Sequence, residues 1–496
     1  METLFDERLE LFRKFGDEKV GDLKFRNLLY SKREDIDYFQ IIEMWLVAVS
    51  LWKKSNFKEK MKDYSIFLYR RHKSKKRRKS LEKRPPKNAI AFFPISESTI
   101  MLFEPIIGLL NEKKQENYML RYDYSMDGIK KEIEKRGLSY VSFEKYLNKE
   151  MESVNKNGVR KKISKISEKV LLRKKKYSVL RGAIEYYFGP RKRFLEIVDF
   201  VEGFKNFLEM EHPSIVFLPD ETIDIARAAS YLCKKKNVPC LVMQHGSITE
   251  EGAEPTEINA IKKIVFGKAI RDFLVNRGMN SKKIEITGSP LYDSFSEKIS
   301  KDKIMNLKEK FGIEKNDKVI LFASTGDNKR ALPRLTALFK FAKKTPNIKI
   351  IIKQHPAEYH KKKYENFYRK LAEKNLVDII ISKDELRILL NFSDAFVTDF
   401  STTILEALIV RKPIILMNFE KEFLYKNYPQ FKGVIWHVYN GSEFMRAISE
   451  AFEAKMDKKK MEFIDGIIEY NMYKSDGKAS ERISKLIEKY KKKNLD

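Results

Sequence analysis

The segment Val397–Leu408 brings together side chains that can bind an anion. An apolar run leads into an aspartate, three hydroxyl residues follow, and a glutamate comes about one helical turn later: Asp399, Ser401, Thr402, Thr403 and Glu406. This order predicts a strand, a tight turn, and a helix whose first turn is capped by the hydroxyl groups. Hydroxyls and unpaired backbone N–H groups at a helix N-terminus attract phosphate. The segment therefore predicts a pocket for nucleotide phosphates.

Two of the six histidines directly follow apolar runs that are expected to be strands. His245 stands between Gln244 and Gly246, and His355 precedes Pro356. In an open parallel sheet, ligands bind at the carboxyl ends of strands, where both histidines would lie. Histidine transfers protons near neutral pH, and a neighbouring glycine lets a substrate approach the backbone closely. Both histidines are candidate functional residues, and a structural hydrogen-bonding role is the alternative for each.

The loop Ser324–Arg330 follows another apolar run and contains small residues next to cations. Thr325 and Gly326 can present backbone N–H groups to phosphate, and Lys329 or Arg330 can add positive charge. An ordinary connection between strand and helix is the alternative. The chain contains no G-x-x-x-x-G-K-[ST] motif and no G-x-G-x-x-G after its apolar runs, which argues against a P-loop or a nicotinamide site.

Two further loops are expected to contribute to the site. Asp220 or Glu221 could bind the acceptor or act as a base, although the favoured interpretation of Asp220 is that it caps the next helix. Ser289, in a Gly-Ser-Pro turn, could line a cleft or lie in a plain linker. We expect no metal site, because His355 and His360 are separated by a proline and do not share a helix face.

The elements that must position these residues follow from the alternation of apolar runs and helical segments. This alternation predicts an α/β protein with two tandem doubly wound, Rossmann-like domains on parallel sheets. We expect helices and a basic linker at 1–87, a first domain at 88–295 with a Lys-rich insertion at 148–192, a second domain at 296–440, and helices at 441–496. Two such domains with facing carboxyl edges would enclose a cleft.

The chain has 496 residues and a formal net charge of +30, which implies attraction to polyanions without choosing among them. Residues 70–87 contain eleven Lys or Arg against one Glu, and we expect them to dock on anionic lipid or simply to be solvated. The apolar run 44–52 is too short to span a bilayer and predicts a buried or an interfacial helix. The acidic N-terminus resembles no signal peptide, and two cysteines imply no disulfide framework.

In chain order, the motifs Gln-His-Gly, Gly-Ser-Pro-x-x-Asp, Lys-x-His-Pro and Thr-Asp-Phe-Ser-Thr-Thr resemble those of GT-B-fold transferases of surface polysaccharide and teichoic acid synthesis. The CDP-glycerol glycerophosphotransferases and their glycosyltransferase relatives are the most similar group. The layout more distantly resembles UDP-N-acetylglucosamine 2-epimerase. This resemblance covers about residues 88–440.

The resemblance implies a role for each matching residue. His245 matches the catalytic base, His355 a contact to the donor phosphates, and Glu406 a ligand of the donor ribose. The donor-binding segment matches Asp399, Ser401, Thr402 and Thr403. Two departures, Gln244 where the glycerophosphotransferases have an aromatic residue and Phe-Ser-Thr where they have Tyr-Ser-Ser, favour a nucleotide-sugar donor over CDP-glycerol.

We therefore expect a glycosyltransferase that moves a sugar from a nucleotide sugar to a polysaccharide or glycolipid acceptor. The donor would be a substrate, and no tightly bound cofactor is expected. A cytoplasmic enzyme, peripheral on the inner face of the cell membrane, is the expected setting. The alternatives are a CDP-polyol phosphate transferase, a UDP-sugar epimerase, and a basic scaffold that binds membrane or, less plausibly, nucleic acid.

Overall fold

A computed structural model describes residues 4–17, 19–20, 23–24, 30–31, 36–42, 85–122, 128–147, 183, 187, 193–219, 221–246, 257–355, 358–359, 361–399, 401–421 and 433–492. The predicted segment 44–52, most of the basic block, almost all of the Lys-rich insertion, Asp220, Pro356 and His360 lie outside these residues. The chain divides into two compact units. The first unit comprises residues 1–265, 271–285 and 481–496, and the second comprises residues 266–270 and 286–480.

The first unit is built on a seven-stranded sheet. Its strands are β5 (Ile90–Phe92), β6 (Asn117–Arg121), β7 (Tyr140–Ser142), β8 (Ile215–Leu218), β9 (Cys240–Met243), β10 (Lys262–Val265) and β11 (Ile284–Ile286). They lie side by side in the order β11-β10-β9-β8-β5-β6-β7. Strands β5, β8 and β9 are buried at every residue, as expected for a parallel sheet covered on both faces. Two short antiparallel pairs, β1 (Lys19–Val20) with β2 (Leu23–Lys24) and β3 (Tyr30–Ser31) with β4 (Ile36–Asp37), precede this sheet.

The helices of the first unit connect these strands and supply much of its core. They are α1 (Leu4–Gly16), α2 (Glu97–Glu112), α3 (Gly128–Lys135), α4 (Arg193–Glu211) and α5 (Asp224–Lys235), followed by α6 (Lys268–Asn276), which begins in the second unit and ends in the first. A capping box of Ser96 and Thr99 starts α2. Phenylalanines of α4 pack in the main cluster with residues of β5 and β8.

The second unit contains a six-stranded sheet in which every recorded strand pair is parallel. The strands are β12 (Lys318–Ala323), β13 (Ile348–Lys353), β14 (Ile379–Ser382), β15 (Ala395–Thr398), β16 (Ile414–Met417) and β17 (Ile435–Val438), in the order β14-β13-β12-β15-β16-β17. Side chains alternate between two clusters: Val319 and Leu321 point to one face, and Ile320 and Phe322 to the other.

The helices of the second unit cover both faces of this sheet. They are α7 (Lys301–Lys310), α8 (Asn328–Lys344), α9 (Lys362–Asn375), α10 (Leu386–Phe392), α11 (Thr403–Ile409), α12 (Gly441–Glu453) and α13 (Lys458–Met472). Residues of α10, α11 and α13 pack on one face, and residues of α8, α9 and α12 pack on the other. A last helix, α14 (Ala479–Lys492), falls mainly in the first unit.

The two sheets confirm the prediction of two doubly wound, Rossmann-like domains. In each sheet the strand order reverses once, between β5 and β8 in the first unit and between β12 and β15 in the second. Ligands of doubly wound proteins bind beside such a reversal, at the carboxyl ends of the strands. Among the residues of known placement, no helix is long and apolar enough to cross a membrane.

Candidate functional site

The loops after β12 and β15 flank the strand reversal of the second unit. The two strands pair directly, with Ala323 opposite Thr398, and the Thr398 hydroxyl donates to the Ala323 carbonyl at 3.2 Å. The first loop carries Thr325, Gly326 and Arg330, and the second carries Asp399, Ser401 and Thr402. The structure therefore brings together two predicted donor-binding segments that are about seventy residues apart in sequence.

An ion-pair network joins these two loops. The Arg330 guanidinium donates from Nε and Nη2 to the two Asp399 carboxylate oxygens, at 2.7 and 3.0 Å. Arg334, 1% exposed, lies 3.1 Å from the Asp399 Oδ2 and also hydrogen-bonds Glu420. Asp399 itself is 2% exposed. These contacts give Asp399 the geometry of a clamp that orients Arg330, rather than that of a group directed at a ligand.

The hydroxyl residues after Asp399 cap α11 only in part. Ser401 Oγ accepts the Thr403 N–H at 3.3 Å and the Thr403 hydroxyl at 2.8 Å. Thr402 occupies the N-cap position but makes no side-chain cap bond, so the expectation that all three residues cap the helix is wrong for Thr402. The helix has seven residues, and its dipole is correspondingly small. Any attraction for phosphate at this place comes mainly from the hydroxyl groups and nearby cations.

Buried polar side chains stabilise the loop after β12. Ser324 Oγ accepts the His355 N–H at 2.9 Å and donates to the Glu358 carboxylate at 2.9 Å. Tyr368 donates to the same Glu358 oxygen at 3.0 Å. Gly326 has a φ of +78°, a conformation that favours glycine, and nothing lies within 4 Å of where a Cβ would be.

This network contains a residue that the sequence does not mark as functional. Glu358 is 1% exposed, and its burial raises the pKa of the carboxyl group, although hydrogen bonds from Ser324 and Tyr368 partly offset the effect. Its near neighbour in sequence, His355, is solvent-exposed. Nothing in the local pattern around Glu358 indicates burial, because its partners come from the end of β12 and from α9.

Three titratable groups at this edge have shifted pKa values. Desolvation by the surrounding groups lowers the pKa of His355 although part of the residue reaches solvent, and the neighbouring Lys353 lowers it further. Burial also lowers the pKa of Lys353 to about 8, against the opposing effect of Glu406 and two other carboxylates. Burial raises the pKa of Glu406 to about 7, against the opposing effect of Lys353. These effects favour the neutral imidazole of His355, and Lys353 and Glu406 form an interacting pair.

In the first unit, His245 lies at the carboxyl end of β9, next to the strand that borders the reversal. Its side chain is exposed, and Nδ1 lies 3.0 Å from the carbonyl oxygen of Pro219, which follows β8. A carbonyl only accepts hydrogen bonds, so Nδ1 donates in this contact, and in the neutral tautomer Nε2 holds the lone pair. The geometry therefore prepares Nε2 to accept a proton.

The residues beside His245 fix the turn. Gln244 is buried, and its Nε2 donates to the Gly246 carbonyl at 2.8 Å. A Cβ atom on residue 246 would meet no other atom within 4 Å, so the space over the Gly246 backbone is open. Gln244 therefore supports the loop, while Gly246 leaves access for a substrate.

Two predicted residues have surroundings that favour structural roles. Glu221 is fully buried, and its carboxylate accepts the N–H groups of Asn259 and Ala260 at 3.0 and 2.8 Å. It anchors the chain before β10 and does not have the accessibility of a catalytic carboxylate. Ser289 is buried in the second unit as the residue before a short 3-10 helix, Pro290–Ser296. Its hydroxyl makes no hydrogen bond within the part of the chain that the structure describes.

Metal-ligating side chains do not cluster in the described ranges: no group of three or more His, Cys, Asp or Glu there could hold a metal ion. Cys233 and Cys240 are both buried with free thiols. Burial and the neighbouring Cys233 thiol raise the pKa of the Cys240 thiol well above its usual value, so it is a weak nucleophile.

A family model matches the C-terminal part of the chain. The model of the CDP-glycerol:poly(glycerophosphate) glycerophosphotransferase family matches residues 268–489, a little less than half of the chain. The matched range includes His355, Asp399 and Glu406 but not His245. No curated protein matches the chain.

Solved structures share the fold at low sequence identity. The UDP-GlcNAc 2-epimerase of Methanocaldococcus jannaschii, in complex with UDP-GlcNAc and UDP, has a TM-score of 0.52 and 15% identity over 81% of this chain and 99% of its own. A glycosyltransferase of Rickettsia africae has a TM-score of 0.52 and 14% identity over 82% and 98%. The epimerase of Neisseria meningitidis, bound to UDP-GlcNAc, has a TM-score of 0.51 and 14% identity over 81% and 99%.

These findings confirm the GT-B-like fold and the resemblance drawn from the motifs. The likeness to solved structures concerns the fold alone. The family match over residues 268–489 indicates a transferase enzyme.

Proposed function

We propose that this protein transfers a glycosyl group from a nucleotide sugar to a hydroxyl group of a cell-surface polysaccharide or glycolipid. One observation carries the proposal. The loops with Gly326 and Asp399 flank the strand reversal of the second unit, where doubly wound sheets bind nucleotides, and His355 follows the neighbouring strand β13.

In this proposal the second unit binds the donor. Thr325, Gly326, Ser401 and Thr403 offer hydroxyl and backbone N–H groups to the diphosphate, and His355 donates a hydrogen bond to it. Thr402 lies between the two hydroxyl residues and contributes its backbone. The half-buried Glu406 accepts hydrogen bonds from the ribose hydroxyls. Arg330, which is held by Asp399, faces the charge that develops on the leaving diphosphate.

The first unit supplies the base. As the acceptor oxygen attacks the anomeric carbon, its proton moves to His245 Nε2, which the Nδ1 contact to Pro219 leaves unprotonated. The bond between the anomeric carbon and the phosphate oxygen breaks, and the nucleoside diphosphate leaves with the electron pair. Gln244 holds the loop around His245, and Gly246 leaves the acceptor side of this step open.

Polyol-phosphate transfer from a CDP-activated donor is the second candidate, favoured by the family match at residues 268–489. There the acceptor oxygen would attack phosphorus, and CMP would leave. The two reactions release different products from different donors. Parallel incubation with UDP-sugars and CDP-glycerol, with release of UDP or CMP as the readout, separates them. Conversion of a UDP-sugar without any acceptor would instead support epimerase activity.

A binding screen tests the common premise. A ligand that binds only the native state raises its melting temperature by mass action, and we expect a rise with UDP, CDP, GDP or dTDP that exceeds any rise with CMP. No rise with any nucleotide, combined with salt-sensitive binding of RNA, would support the basic scaffold instead.

Attachment to a membrane surface is a separate part of the proposal. Its support is the charge of residues 70–87, since each Lys or Arg near an anionic surface contributes about 1 kcal/mol. We expect the protein to sediment with vesicles that contain phosphatidylglycerol, to do so less as salt rises, and not to sediment with phosphatidylcholine. Equal sedimentation with both lipids would contradict an electrostatic attachment.

A further inference from the structure

Lys353 lies at the donor edge of the second unit, although its position in the sequence identifies it only as the end of an apolar run. It is the last residue of β13 and stands in register with Ala323 of β12 and Ser382 of β14. Ile351, two residues earlier, packs with Leu405 of α11. Because side chains alternate along a strand, Lys353 points to the same face, where α11 carries Glu406.

The direct contacts of the Lys353 ammonium group are with uncharged groups. Nζ donates to the Gln354 carbonyl at 3.2 Å and to the Tyr359 hydroxyl, and it lies 4.9 Å from the centre of the Tyr359 ring. The ion pairs among the described residues do not include Lys353. Carboxylates act on it from a greater distance, Glu406 most strongly, followed by Asp384 and Glu358.

Other cations near this edge are held by direct contacts, as Arg330 is oriented by Asp399. Arg330 and Arg334 share Asp399, and Arg334 also pairs with Glu420. Lys383 donates to the Tyr359 carbonyl at 3.0 Å and is exposed. Lys353 differs from them because it is half-buried at the end of a central strand and holds no carboxylate directly.

We propose that Lys353 binds the diphosphate of the nucleotide donor, an inference that rests on the proposed function. An ammonium group on a flexible stem binds phosphate oxygens as a point charge. It can exchange hydrogen bonds to neutral acceptors for bonds to phosphate. The Tyr359 hydroxyl and the Gln354 carbonyl hold the side chain in place until the donor arrives.

The test compares Lys353→Met with Lys383→Met, a matched control because both ammonium groups lie over the Tyr359 ring, at 4.9 and 5.8 Å. Binding of UDP, CDP and inorganic pyrophosphate is measured by calorimetry, and binding of uridine and cytidine by ligand-observed NMR. A lost charged hydrogen bond predicts affinity for the diphosphates about 10- to 100-fold weaker in Lys353→Met. We expect unchanged nucleoside binding, wild-type affinities in Lys383→Met, and partial recovery in Lys353→Arg.

Each other outcome is informative. Diphosphate affinity in Lys353→Met equal to that of the wild type overturns the assignment, and so does an equal loss for nucleosides and diphosphates, which indicates a structural role. If the wild type binds pyrophosphate through Lys353 but no nucleotide, the proposed function fails while the phosphate site stands. If the wild type binds neither, both fail.

Discussion

Replacing Asp399 by Asn tests whether this residue clamps the two loops at the strand reversal. The carboxylate accepts hydrogen bonds from Arg330 at 2.7 and 3.0 Å and lies 3.1 Å from the Arg334 Nη2. An amide has one oxygen to accept these bonds, and its NH2 group would face guanidinium donors. The substitution therefore removes the charge and at least one of the hydrogen bonds while leaving the volume nearly unchanged.

The expected loss of stability can be bounded from these contacts. A hydrogen bond to a charged group contributes about 1.5 to 3 kcal/mol, which sets the lower bound. Removing one partner of a buried ion pair costs about 3 to 5 kcal/mol, but Arg334 keeps Glu420 as a second partner and Arg330 is partly exposed. We expect the second unit to lose about 2 to 4 kcal/mol of local stability.

Native-state hydrogen exchange of peptides from β12 and β15 measures this loss directly, because it reports local free energies where a two-unit chain need not unfold in one step. The matched control is Glu365→Gln, which removes the exposed i,i+4 pair with Arg369 and should change stability by less than about 1 kcal/mol. If Asp399→Asn loses no more protection than Glu365→Gln, the clamp is refuted.

Three further predictions concern single side chains. His245→Ala should lower the transfer rate about 10²- to 10⁴-fold and leave the nucleotide affinity unchanged. The control is His212→Asn, at an exposed histidine with a φ of 46°, which should leave the rate unaffected. Full activity of His245→Ala would exclude His245 as the base. Folding raises the pKa of Glu406 from 4.5 to about 7. The contribution of this group to the free energy of unfolding is therefore greatest below pH 4.5 and is lost as pH rises through 7. The melting temperature of Glu406→Gln should therefore rise relative to that of the wild type between about pH 5 and pH 8. A difference that does not change with pH would contradict the raised pKa. Gly326→Ala should destabilise the protein by about 1 to 2 kcal/mol, because the φ of this residue is positive. Gly246→Ala should lower the rate of transfer to the acceptor and leave the melting temperature unchanged. The reverse pattern would contradict both assignments.

Much of the fold follows from patterns that are local in sequence. The predicted alternation of apolar runs and helical segments recurs in the second unit, where β12, β13, β15 and β16 each coincide with such a run. Strands buried on both faces need continuous apolar residues, so their signal is strong. The direction of each crossover is fixed by handedness, which is why the doubly wound order can be expected before any contact is known.

The site is less predictable, because its contacts depend on the order of strands in space. Nothing around Asp399 indicates that it meets Arg330, 69 residues away, until β12 is known to pair with β15. The same holds for Glu358, which meets Ser324 across two elements. The sequence predicts Glu221 as a possible base because it follows a strand, yet its carboxylate binds backbone N–H groups of a later loop.

The charges at the donor edge show how a strongly basic protein can keep a specific anion site. Arg330 and Arg334 are balanced by Asp399 and Glu420, Lys353 is opposed by Glu406, and the lowered pKa of His355 favours its neutral form. The free site is therefore close to neutral, and its groups are held in place before a ligand binds. Long-range attraction of an anionic donor must come from the chain as a whole, with its formal charge of +30. Because such attraction is screened by salt while contacts between buried groups are screened far less, rising ionic strength should slow association more than it speeds dissociation.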